Sequence, residues 1–91
     1  MSSISIQRKH TKSLKDARAA VIKVATAIEK KFSIHYEWDG DVLHFSRSGV
    51  DGRITLTKGL VEVDVRLGFL LMALRGPVTA EIERVLEQEF T

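Results

Sequence analysis

The residues able to do chemistry are few and scattered. His10, His35 and His44 are the histidines, and the chain has no cysteine. No two histidines stand three or four residues apart, so no metal-ligand motif is present. His35 and His44 fall on the wet side of neighbouring strands and could approach each other there. Two imidazoles without a third ligand read as exposed strand side chains. Asp39, Asp41 and Asp51 cluster in turn sequences, where aspartate bonds its own backbone. The D-x-[DN]-x-[DN]-G spacing of a calcium loop is missing. "FSRSG", residues 45–49, lacks the first glycine of a nucleophile elbow, and no strand-to-helix turn follows it. "GVDG", residues 49–52, has the G-x-x-G form of a KH loop, but that loop joins two helices and here strands flank it. It reads as a hairpin turn in which Gly49 and Gly52 supply permissive dihedrals. No catalytic, cofactor or metal site is expected.

Two surface features remain. Residues 1–31 hold eight Lys/Arg against Asp16 and Glu29, whereas residues 32–91 hold six Lys/Arg against ten Asp/Glu. Arg8, Lys9, Lys12, Lys15 and Arg18 form a basic patch where strand meets helix, suited to an anionic surface; a solvated helix face rich in lysine is the plainer reading. Nucleic-acid binding is disfavoured. Tyr36 and Trp38 share the parity of Ile34, the core side, and the acidic remainder of the chain repels phosphate.

The second feature is "GFLLMALRGPV", residues 68–78. Phe69, Leu70, Leu71, Met72, Ala73 and Leu74 leave a helical turn without a polar face, so it must be buried on several sides or covered by a partner. Three readings stay open: a wedge between sheet and helix, a homodimer seam, and a patch facing lipid or polymer. Each large side chain left in water forfeits about 1.5–3 kcal/mol.

The elements that position these residues follow from periodicity. Ser3 to His10 alternates as a strand with Ile4 and Ile6 on one side. Ser13 suits an N-cap, with Asp16 three residues on. Leu14, Ala17, Val21, Val24, Ala25, Ile28 and Phe32 form a helical stripe, with Lys30 and Lys31 in the last turn. Period two returns from Ile34 to Leu67 in four strands separated by Asp39-Gly40-Asp41, Ser48–Gly52 and Lys58-Gly59. A short helical segment, Phe69 to Arg75, is interrupted by Gly76-Pro77. A last helix then runs from Pro77 or Val78 to about Phe90, with Val78, Ile82, Val85, Leu86 and Phe90 inward. Glu81, Glu83, Glu87 and Glu89 make its outer face acidic, and the last two oppose the helix dipole. The order β-α-β-β-β-β-α predicts an α+β fold: an antiparallel sheet with helices on one face.

The 91 residues, net charge of +2 and 29% charged fraction fit one globular domain, 1–91. The N-terminus lacks an apolar h-region, so no signal peptide is expected. No apolar run approaches the roughly 18–20 residues of a membrane span. The absence of cysteine suits a cytoplasmic protein.

"ISIQRKH", "SLKDARAA", "YEWDGDVLHFSRSGVDGRI" and "LGFLLMALRGPVTAEIERVL" together resemble the polyhydroxyalkanoic acid system protein family. Trp38, Asp39, Gly40, Gly49, Asp51, Gly52, Gly68 and Pro77 match its motif positions, and each also has a reason in the fold. The resemblance implies a small bacterial companion of polyester storage, with no catalytic residues to carry over. It implies a non-enzymatic accessory protein in the cytoplasm or at the granule surface. Phe69, Leu70, Leu71, Met72 and Leu74 would contact the granule, a granule protein or a second copy. An acyl- or lipid-binding module, with a chain held between helix and curved sheet, is the alternative. A nucleic-acid module ranks below both.

Overall fold

The computed structural model describes residues 2–90, the side chains of Ser2 and Leu70 excepted. Its elements are β1 (Ser2–Lys9), α1 (Leu14–Phe32), β2 (His35–Asp39), β3 (Val42–Arg47), β4 (Val50–Thr57), β5 (Leu60–Leu67), a 3₁₀ turn (Phe69–Leu74) and α2 (Arg75–Glu89). The strands form one antiparallel sheet in the order β1-β5-β4-β3-β2. The α+β fold expected from the element order is the fold observed.

Alternation builds the sheet's two faces. Ile4, Leu43, Phe45, Val50, Ile54, Leu56, Val61, Val63, Val65 and Leu67 are buried on one side. Their alternate neighbours, such as Ser5, His44, Arg53 and Arg66, are exposed on the other. Both helices lie on the buried side and pack on each other, with α2 over β1 and α1 over β4 and β2. Gly52 is not part of a turn, as first expected, but sits inside β4 and is buried. A Cβ there would run into Cε2 and Cζ of Phe45 and lie 3.1 Å from the Asp64 carbonyl. The missing side chain leaves room for the Phe45 ring.

α1 starts as its sequence dictates. Ser13 Oγ accepts the backbone N–H of Asp16 at 3.2 Å, and the helix ends on Ser33 in the left-handed region at φ 55°. Ala17, Ala20, Val21, Val24, Ala25 and Ile28 form its buried face. Leu14, placed on that stripe by periodicity, is instead 48% exposed. It is the first helical residue, and the buried stripe begins one turn later at Ala17.

The C-terminal third departs from expectation in two ways. Gly76-Pro77 does not interrupt the chain, because α2 begins at Arg75 and holds both residues in its first turn. The first N–H groups of a helix have no intrahelical acceptor, so proline loses nothing there. Glu81 does not join an outward acidic face. It is 7% exposed, accepts a hydrogen bond from Lys31 Nζ at 2.9 Å, and pairs with Arg84 one turn on. Glu89, near the end whose charges oppose the dipole, pairs with Lys23 of α1 at 3.4 Å. Phe90 is buried and closes the helix with an N–H bond to the Leu86 carbonyl.

Candidate functional site

The densest apolar run forms the 3₁₀ turn that leaves β5 and enters α2. Its position is set by backbone contacts with the β3–β4 hairpin, where the Gly68 N–H donates to the Gly49 carbonyl at 2.7 Å. Gly49 has φ 85°, and a Cβ there would meet Leu71 Cδ1 at 2.9 Å. The hairpin therefore requires glycine twice over, for its left-handed backbone and for the seat of Leu71. On the other side, Arg75 Nε reaches the Ser3 carbonyl at 3.4 Å.

The five residues singled out in this run divide. Leu71 and Leu74 turn inward and pack on the core. Phe69 and Met72 turn outward, at 80% and 43% exposure, and Ala73 is exposed beside them. Leu70 is outside the described side chains. The run is thus half wedge and half surface. Two large apolar side chains stand in solvent at one end of the molecule, on a backbone fixed by Leu71, Leu74 and the Gly49 contact.

Arginines border this tip, and the sequence alone gave no reason to group them. Arg47 and Arg66 line a groove with Gly49, Val50, Asp51 and Gly68, and Arg75 is exposed where α2 begins. Arg47 Nη1 also donates to the Phe32 carbonyl at 2.8 Å, tying the hairpin to the end of α1. The available signal was register: Arg66 precedes Gly68 by two residues, and Arg47 ends the strand facing Val50.

The basic residues of the N-terminal third have different surroundings. Arg8 is half-buried on the helix-covered side of β1, and its Nη1 has no hydrogen-bond partner among the described residues. Lys9 and Lys15 are exposed and Lys12 is half-buried in the loop before α1. Arg18 lies over the Trp38 ring at 3.9 Å, donates to the Gly40 carbonyl at 2.9 Å and meets Asp41 at 3.6 Å. β1 and β2 are the two edges of the sheet, four strand spacings or roughly 19 Å apart. Arg8 and Arg18 thus serve opposite edges.

The open face of the sheet carries a shallow groove of about 460 Å³ lined by Ser3, Ser5, Asp51, Arg53, Asp64 and Arg66 among others. Arg53 and Asp64 face each other across β4 and β5 at 3.9 Å, and Ser5 donates to Asp64 at 3.3 Å. Its charged walls differ from the apolar lining an acyl chain requires. His35 stands opposite Ser46, and His44 stands between Glu37 and Arg53, so neither histidine directly faces the other. Among the described residues no group of three or more His, Asp or Glu side chains is placed to hold a metal ion. No helix among them is long and apolar enough to cross a membrane.

The family model described as "Putative polyhydroxyalkanoic acid system protein" matches residues 4–90, and the chain belongs to that family. No curated protein and no solved structure gives a significant match. The family is not a known enzyme family.

Proposed function

We propose that this member of the polyhydroxyalkanoic acid system family is a non-enzymatic accessory protein that docks on the storage polyester through the apolar tip. The exposure of Phe69 and Met72 on a fixed turn is the observation that carries this reading. Phe69, at 80% exposure, forfeits most of the roughly 1.5–3 kcal/mol that full burial would give, and Met72, at 43%, a smaller part; together this is a sizeable share of the stability of a small domain. A hydrophobic surface recovers that free energy on contact. Polyester adds a second element of recognition, because its ester carbonyls accept hydrogen bonds and carry no donors. Arg66 and Arg75, exposed at the rim of the tip, supply donors suited to them.

On this reading the protein acts in the cytoplasm, at the granule surface, and its mechanism is binding rather than bond-making. Co-sedimentation with protein-stripped polyhydroxyalkanoate granules tests it. The protein is expected in the pellet at low and at high salt, because apolar contact survives screening that weakens exposed charge pairs. Folded protein that stays in the supernatant at every salt concentration removes direct docking.

A further inference from the structure

The sheet ends in two edge strands, β1 and β2, and their backbones are treated differently. β2 has only five residues. The Arg18 guanidinium closes over its Trp38 and holds the Gly40 carbonyl at its end. A short strand under a bound cation is a common way to blunt an edge. β1 has eight residues, without proline or glycine, in unbroken register with β5.

The direction of the unpaired groups on β1 follows from its ladder. The His10 N–H donates to the Gly59 carbonyl at 3.0 Å, and Lys9 stands opposite Leu60. In an antiparallel pair, bonded residues alternate with unbonded ones. The even-numbered residues of β1 therefore bond β5, and Ser3, Ser5, Gln7 and Lys9 direct their N–H and C=O groups away from the sheet. Of these, only the Ser3 carbonyl has a partner among the described residues, the long contact from Arg75.

We infer that β1 is the seam of a homodimer, in which two copies pair edge to edge in antiparallel register centred on Ile6. Self-pairing fits the residues. Centring on Ile6 sets Ser5 against Gln7 and Ser3 against Lys9, so every outward-directed residue gains a ladder partner. It sets Ile6 against Ile6, covering a side chain left half-buried at the margin of the core. It also sends Arg8 and Lys9 of the two copies to opposite ends of the seam. Centring on Arg8 would instead bring two guanidinium groups face to face, and like charges directly opposite are destabilising. The resulting sheet has ten strands with all helices on one side, and it leaves both Phe69 tips free at opposite ends. The inference does not depend on granule binding.

Sedimentation equilibrium and directed cross-linking test it. The wild-type chain is expected to be a dimer, and Phe69→Asp is expected to remain one. Ser5→Pro removes an outward N–H and the exposed hydroxyl contact with Asp64 without touching the backbone ladder to β5, and is expected to be a monomer with unchanged helical circular dichroism. Ile6→Cys is expected to form a disulfide dimer on mild oxidation, because an unbonded antiparallel pair holds its Cα atoms about 4.5 Å apart. Ser3→Cys, which faces Lys9 of the other copy, is expected to stay uncross-linked. A monomeric wild type, a Phe69→Asp chain that dissociates, or an Ile6→Cys chain that cross-links no faster than Ser3→Cys would each overturn the β1 seam. If only an added extended peptide occupies β1, the self-association is wrong and the edge is a peptide site.

Discussion

Gly52 and Glu81 show how much one residue decides here. The Phe45 ring occupies the space a Gly52 side chain would fill, and the Asp64 carbonyl closes it from the next strand. Gly52→Ala is expected to destabilise the protein by about 1–3 kcal/mol through overpacking, read as a lower urea midpoint with an unchanged m-value. Glu81 is held below the usual carboxylate range by hydrogen bonds from Arg84 and Lys31, against the opposing effect of burial. Its folded form therefore binds fewer protons than its unfolded form between the lowered and the ordinary value, and stability rises with pH across that window. The contribution is complete above the ordinary glutamate range and disappears as pH falls through the lowered value. Glu81→Gln is expected to melt below wild type at neutral pH, with the gap closing in strong acid. Thermal melts at the two pH values check this, and a constant gap would contradict it. Arg8 presents the opposite case, since its Nη1 is buried without a partner among the described residues. Replacing such a donor by an apolar side chain of similar shape is nearly neutral or stabilising, so Arg8→Met is expected to melt no lower than wild type.

Elements differ in how plainly their residues announce them. α1 carries its own start signal in Ser13, and Ser13→Ala is expected to cost about 1 kcal/mol in a urea titration. The alternation of β3, β4 and β5 is equally plain, because each strand has one covered face and one wet face. The start of α2 was illegible because Gly76-Pro77 suits both the end of one helix and the first turn of another. The burial of Glu81 had a readable sign. It stands three residues after Val78 and four before Val85, inside the apolar stripe rather than opposite it. Its charge disguised that position, since Arg84 can be seen along α2 but Lys31, its partner on α1, cannot. The tip was half legible for a similar reason. Six apolar residues in a row declare that something must be covered, but only Gly49 and the core beneath Leu71 and Leu74 decide which side chains turn inward.

At the scale of the molecule, two helices cover one face of the sheet and leave the other polar; Leu14 and Ile22 are exposed on α1, and Phe69, the most exposed large apolar side chain among the described residues, stands with Met72 on the turn between β5 and α2. The end that carries Phe69 and Met72 also gathers Arg47, Arg66 and Arg75, from β3, β5 and α2. A compact body of this kind, with an anchor at its tip, can cover a hydrophobic surface without inserting a helix into it. The central claim is that this tip makes the contact. The most direct test is the granule affinity of a Phe69→Asp, Met72→Asp double variant. Both side chains are exposed, so the fold and melting temperature are expected to stay near those of wild type. Binding to stripped granules is expected to fall at least tenfold, corresponding to about 1.4 kcal/mol or more of lost contact. A folded double variant that binds granules as tightly as wild type would contradict the account.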